Sequence, residues 1–325
     1  MKAIIHSQYG GPEVLKLEEV EKPQAGPKEV LIKVMASSIT TADSMMMTGK
    51  PYIGRLILGL SKPKHAIPGT GFAGIIEAVG QEVTSYKVGD EVFGESLNTF
   101  GAQAQYLCLA EDDLFMHKPA SVSFEEAATV GDGVMTSLNF LQLVTEVEPG
   151  KKVLINGAAG SLGSAAVQIA AHYGAHVTAV CSSKNAEFVK SLGAQEVIDY
   201  SQEDFTKRSN QFDIIYDTVG KSSFDAAKNS LTKDGVYASP VLDGKLLLKV
   251  LWTSIWGNKK AKFSATGFIS LEAKRQIQST ARNLMNLGSV RPYISKRYRL
   301  DQFQEAHSYI ASGHKRGNIV FTPFQ

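Results

Sequence analysis

Gly157, Gly160 and Gly163 stand three residues apart in the run NGAAGSLGSAAVQIA, Asn156 to Ala170. They follow an apolar segment, KVLIN, and open an alanine-rich stretch of helical composition. Small residues there let the backbone turn tightly and approach a ligand, and the next helix offers free N–H groups and a partial positive charge. A pyrophosphate suits such a corner. The run departs from G-x-G-x-x-G at one point: in Ala158-Ala159-Gly160-Ser161-Leu162-Gly163 alanine replaces the first glycine, with an extra glycine at 157. Strand, loop, helix and second strand follow in the order a dinucleotide site requires, so Ala159, Gly160, Ser161, Leu162 and Gly163 are the expected phosphate cradle.

A second corner comes at the end of the next strand, in AVCSSKNAEF. A site that prefers NAD places Asp or Glu there against the ribose hydroxyls. Ser182, Ser183 and Lys184 occupy it instead, and the nearest carboxylate, Glu187, is expected inside the following helix. A 2′-phosphate would meet two hydroxyls and a cation. Each charge-assisted hydrogen bond contributes about 1.5–3 kcal/mol, enough to bias binding roughly tenfold to a hundredfold. NADPH is therefore the expected cofactor.

Metal and disulfide chemistry are weakly supplied. Cys108 and Cys181 are the only cysteines, each among apolar residues, as in core thiols of a reducing cytoplasm. The seven histidines scatter; His172 and His176 are not a helical pair, because Gly174 separates a helix end from a strand.

These residues need a scaffold to hold them. At 325 residues the chain exceeds the size at which one core keeps growing, so two domains are expected. Up to about Pro119 short alternating segments such as EVLIKV, YKVGDEVFG and AQAQYLCLA are broken by Gly and Pro turns, which predicts a mostly β domain resembling a small barrel. From Phe124 the spacing turns helical. KVLIN, AHVTAV, EVID, FDIIYD and GVYASPV then alternate with helical stretches, which predicts a parallel sheet covered on both faces. DQFQEAHSYIASG reads as a helix, and NIVFT as a strand returning to the first domain.

A net charge of +2 with no run of Lys or Arg gives no reason to expect nucleic acid or a membrane. The N-terminal apolar stretch is too short for a signal peptide, and LLLKVLWTSIWG is far short of the ~20 apolar residues of a spanning helix. A cytoplasmic location, a small-molecule substrate and a homodimer are the expectations.

In IPGTGFAGIIEAVG, YKVGDEVFG, EEAATVGDGVMTSLNFL, the glycine loop with AAVQIA, LGAQEVIDY and IIYDTVG, taken in order, the chain resembles the zinc-free quinone oxidoreductase branch of the medium-chain dehydrogenase/reductase superfamily. The resemblance implies an α/β protein with a GroES-like β domain formed by 1–123 and 267–325 and a Rossmann domain over 124–266. It implies Thr136 near the nicotinamide, Tyr200 near the adenosine phosphate, Val219 and Gly220 lining the cofactor, and Ser239 after the next strand. Zinc members hold their metal with Cys and His, where this chain has Ser38 or its neighbour, and Thr70; hydroxyls are poor zinc ligands, and two cysteines cannot build a four-cysteine lobe. Thr40 stands where Asn is common beneath the nicotinamide, and Gly71 where close relatives tend to carry an acid.

Without a Lewis acid, easily reduced acceptors are expected: quinones and α,β-unsaturated carbonyls, whose oxyanion needs only hydrogen bonds and a proton. Thr40, Tyr52 and Thr136 are the expected polar groups at the reacting atoms, with Asp43 behind them. Met45, Met46, Met47, Trp252 and Trp256 could form an apolar acceptor pocket, or the LLLKVLWTSIW helix could bury its Leu and Trp in a core or a dimer contact. An enoyl-thioester or alcohol oxidoreductase, and a protein that binds NADPH without turnover, are the alternatives.

Overall fold

A computed structural model describes residues 1–313 and 315–322, with the backbone alone at Ile53. His314 of the histidine set lies outside the described residues. The chain forms two compact units, Met1–Asp132 with Pro292–Gln325, and Gly133–Arg291.

The first unit begins with a hairpin-like pair, β1 (Lys2–His6) and β2 (Leu15–Glu19), antiparallel to each other. Then come β3 (Glu29–Ser38), β4 (Gly71–Val79), β5 (Glu91–Glu95), β6 (Tyr106–Ala110) and β7 (Phe115–His117). β3 is the axis of this unit. Its ten residues are rich in Val and Ile, almost all its apolar side chains are buried, and it pairs antiparallel with β4 along one edge and β6 along the other. β4 passes the sheet on to β5, and β5 to β7. Both strand-like runs read from the sequence, YKVGDEVFG and AQAQYLCLA, thus enter one sheet.

In the second unit β8 (Lys152–Asn156), β9 (His176–Cys181), β10 (Glu196–Asp199), β11 (Phe212–Asp217), β12 (Leu231–Ser239) and β13 (Lys260–Phe263) form a six-stranded sheet. The order is β10-β9-β8-β11-β12-β13, and every pairing is parallel. β8 and β9 are near-continuous apolar runs because both faces of such a sheet are covered. The helix Ser161–His172 buries eight of its residues, mostly Ala, Gly, Ser and Val, whose small volumes let it lie close on the sheet.

The chain then returns to the first sheet. β14 (Ile294–Arg299) and β15 (Asn318–Thr322) are parallel to each other, and β15 pairs antiparallel with the end of β3. The chain passes between the two units at 132/133 and 291/292, where the resemblance implied domain changes at 123/124 and 266/267. Asn139 Nδ2 donates to Ser264 Oγ at 2.9 Å and Thr266 Oγ1 at 3.2 Å, while Gln168 exchanges two hydrogen bonds with the Arg291 backbone. Between these ties the helix Leu271–Asn286 turns Ile277, Ala281, Leu284 and Met285 inward at helical spacing, so it stays with the second unit.

The helical stretch after Phe124 is less regular than its periodicity suggests. A short α-helix, Phe124–Ala128, leads into wider π-type turns at Val130–Met135 and Asn139–Val144 with one α-turn between them. Such widened turns are common at functional sites.

Candidate cofactor cleft and a group of buried acids and hydroxyls

In the second unit β9 and β10 lie to one side of β8, and β11, β12 and β13 to the other. Chain direction therefore reverses its spread between β8 and β11, which is where an open parallel sheet leaves a crevice at its carboxyl ends. The glycine loop emerges there. Gly157 has φ +80°, and a Cβ on it would meet Thr218 Oγ1 and Val219 Cγ1 at 2.7 Å. Its N–H and that of Ala158 donate to Val180 O, pinning the loop to β9. At Gly163 a side chain would collide with the backbone of Gly157 and Ala158. Gly160 differs: it precedes the helix Ser161–His172 with no side-chain cap, and a Cβ would find only Gly157 O at 3.4 Å. Gly157 and Gly163 are required by the fold, whereas Gly160 leaves the helix N-terminus open.

The opposite wall is organised by Asp217, at the end of β11 and fully buried. It accepts from Asn156 Nδ2 at 3.0 Å, from the N–H groups of Val219, Gly220 and Ser222, and from Tyr237 Oη at 2.9 Å. One carboxylate thus joins β8 and β12 to the turn carrying Val219 and Gly220. Val219 is exposed, Gly220 has φ +65°, and Ser239, buried at the end of β12, accepts from Val241 N. Sequence reasoning missed Asp217, although a carboxylate ending an apolar strand before a turn is a visible signal.

Ser182, Ser183 and Lys184 follow β9 at a single turn of 3-10 helix, and Tyr200 is exposed after β10. Glu187 lies in the helix Ala186–Ser191. A second carboxylate, overlooked in the sequence, also reaches this corner. Asp199 pairs in register with Cys181 and accepts from Ser201 N–H and Oγ and from Ser183; these bonds hold its pKa below the usual carboxylate range. Thr136 is half-buried in the short α-turn between the π-type segments.

The first unit holds a different group. Thr40 caps the helix Thr41–Thr48: its hydroxyl accepts from Asp43 N at 3.2 Å and donates to Asp43 Oδ2 at 2.8 Å, while Thr40 N donates to the same oxygen at 2.7 Å. The hydroxyl expected to serve an acceptor is therefore engaged in a capping box, worth about 1 kcal/mol to the helix. The spacing T-x-x-D announced this. Burial pushes the Asp43 carboxyl up to about 6 against the opposing Thr40 bonds. Tyr52 is 67% exposed, its ring 4.9 Å from the Arg55 guanidinium. Of the methionines, Met47 is buried and Met45 exposed.

Ser38 and Thr70 also belong to this unit. Ser38 is buried at the end of β3, and the Thr70 hydroxyl bonds to Glu95, a buried acid on β5. Two hydroxyls do not fit a zinc centre, and the described residues contain no group of three or more His, Cys, Asp or Glu side chains arranged to hold a metal.

Comparison with known proteins agrees with this architecture. A family model described as "Alcohol dehydrogenase GroES-like domain" matches residues 26–120, and one described as "Zinc-binding dehydrogenase" matches residues 192–321. A 2-methylene-furan-3-one reductase of Solanum lycopersicum is 31% identical over 99% of this chain and 79% of its own length. The quinone oxidoreductase of Coxiella burnetii superposes with a TM-score of 0.85 at 29% identity, covering 100% of this chain and 99% of that one. The Escherichia coli quinone oxidoreductase complexed with NADPH gives 0.84 at 25% identity, over 99% of this chain and 100% of its own. The chain belongs to the medium-chain dehydrogenase/reductase superfamily, and within it to the quinone oxidoreductase branch.

Proposed function

We propose that this chain is an NADPH-dependent oxidoreductase that reduces quinones or α,β-unsaturated carbonyls without zinc. The observation that carries the reading is the uncapped N-terminus of the helix Ser161–His172, opening through Gly160 at the switch point of a parallel sheet. Ala159, Gly160, Ser161, Leu162 and Gly163 hold the pyrophosphate; Ser182, Ser183 and Lys184 take the 2′-phosphate; Tyr200, Val219, Gly220 and Ser239 line the cofactor. When bound, the nicotinamide supplies the hydride. Thr136 orients that ring, and Thr40 and Tyr52 serve the acceptor oxygen, Thr40 by turning its hydroxyl from Asp43. Hydroxyl donors give modest stabilisation, which suits acceptors that take hydride readily at carbon.

Two further readings stay in view. The capping role of Thr40 favours a protein that binds NADPH without turnover, and an enoyl-thioester or alcohol oxidoreductase would share the cofactor residues. Chelator-treated protein incubated with NADPH or NADH and a panel of quinones, enones, enoyl thioesters and alcohols separates them. Rapid NADPH oxidation with quinones or enones is expected; binding without oxidation of NADPH by any acceptor would overturn the enzymatic reading.

The protein acts as a cytoplasmic homodimer on a small molecule. Support for the dimer comes from the helix Gly244–Ile255, which leaves Leu248 (67%), Leu251, Trp252 and Ile255 (70%) exposed along one stripe, with the Trp252 and Trp256 rings 4.7 Å apart. Covering each would contribute on the order of 1 kcal/mol. Among the described residues no helix is long and apolar enough to cross a membrane.

A further inference from the structure

Glu95 has no task in the function proposed above. It closes β5 directly opposite Gly71 of β4. A Cβ at Gly71 would stand 2.9 Å from Glu95 Oε1, and one at Gly131 would overlap the carboxyl group itself. The Glu95 carboxyl thus sits in a cradle that two glycines keep open. Glu95 is 8% exposed, while Thr70, which bonds to it, is half-buried. Thr70 is held in place from behind: its carbonyl accepts from Ser96 N at 2.9 Å and Ser96 Oγ at 3.2 Å.

The charged groups facing Glu95 are Asp132, on the Val130–Met135 turns, and Asp43, on the helix Thr41–Thr48. The nearby cation Lys315 lies 3.9 Å from Asp132. Among the described residues no ion pair reaches Glu95 itself. A buried carboxyl surrounded by acids and bonded to a hydroxyl is built to keep a proton, and the reduction proposed above consumes one.

We propose that Glu95, seated in the space left by Gly71 and Gly131, stores the proton used in the reduction and passes it through the Thr70 hydroxyl to the acceptor. The inference rests on the reductase reading. Hydride from NADPH adds to a carbon of the acceptor, and the displaced π pair moves onto oxygen. The Thr70 O–H proton bonds to that oxygen as the Glu95 O–H proton bonds to Thr70 Oγ; the Glu95 carboxylate then takes a proton from water. The sum is NADPH, one proton and acceptor giving NADP⁺ and reduced acceptor. Thr70 touches the acceptor; Glu95 acts through it. Burial, with Asp132 and Asp43 adding to it and the Thr70 bond opposing, pushes the Glu95 carboxyl up to about 8, so the proton is present at neutral pH.

Two measurements test this. In the ligand-free protein, a protonated carboxyl band in the infrared should titrate near pH 8 and be absent in E95Q, which keeps shape and hydrogen bonding but has no acidic proton. In turnover, kcat of the wild type should fall above about pH 8; E95Q should lose that limb and run roughly a hundredfold slower, with KM for NADPH unchanged. T70V should slow turnover similarly while melting near the wild-type temperature. A limb that persists in E95Q, or a neutral-pH carboxyl band unaffected by it, overturns the relay alone. Failure of the wild type to oxidise NADPH with any acceptor overturns the functional reading and the relay with it.

Discussion

Asp43 and Glu95 couple folding to pH in the direction opposite to a salt-bridged acid. Their folded values, about 6 and about 8, lie above the ordinary carboxylate range, so between roughly pH 4 and pH 8 the folded chain binds more protons than the unfolded one. Their contribution to stability is complete at low pH and is lost as pH rises through the folded values. His307 pulls the other way, because burial lowers its pKa to about 4 and stability gained from it grows as pH rises towards 6.5. The comparison that isolates Glu95 is melting temperature from pH 5 to 9: E95Q should fall less steeply than the wild type, and equal slopes would show that Glu95 does not titrate there. Lys184 makes a second residue-level case. With Asp199 ionised beside Ser183, it supplies the positive charge for a 2′-phosphate at this corner. K184A should weaken NADPH about tenfold and NADH less than twofold by calorimetry; equal losses would sink the assignment.

The elements explain why some of this could be read from the chain and some could not. Strands β8 to β12 were legible because parallel strands are apolar runs and the helices between them have their own period. The glycine loop was legible because two of its glycines answer to local sterics. Glu95 was not: its cradle is made by Gly71 and Gly131, which only strand pairing and the π-type turns bring to it. The same holds for Asp199, which reaches Ser183 through the β9–β10 register. Thr40 was read in part: its capping signature, T-x-x-D, was present in the sequence, but its hydroxyl was counted as free. At this scale two glycine variants should part company. G160V, which the protein itself can accommodate, should fold with a near-normal melting temperature yet lose both nicotinamide cofactors. G163V should instead destabilise the chain, because its side chain meets the backbone of the loop. Retained NADPH binding by G160V would refute the loop assignment.

For the whole molecule, the discontinuous first unit was legible from NIVFT, a terminal strand with no place in the alternating pattern, and β15 does pair with β3. The second change of unit was less so, because side-chain ties at Asn139 and Gln168, which hold residues 264–291 with the second unit, leave no periodic signal. For the apolar face of Gly244–Ile255 the sequence left a core, a dimer contact and an acceptor pocket open, since helical periodicity shows that a face is apolar but not which way it turns; the structure turns it outward. If a second copy covers it, L251E should shift the sedimentation of the protein towards the monomer while leaving the fold intact. An unchanged sedimentation coefficient would place the dimer contact elsewhere.

The two thiols bear on how long such a protein could survive its own work. Quinones and enones are soft electrophiles that alkylate thiolates, and a reductase meets them at every turnover. Burial, with Glu29 beside Cys108 and Asp199 beside Cys181, pushes both thiols up to about 11. Only about one in ten thousand would then be ionised at neutral pH, hundreds of times fewer than for an ordinary exposed cysteine. Intact-mass spectra after prolonged exposure to excess benzoquinone should accordingly show little adduct at either cysteine in the folded chain and rapid double modification once it is unfolded, so that resistance to self-inactivation is a property of the fold.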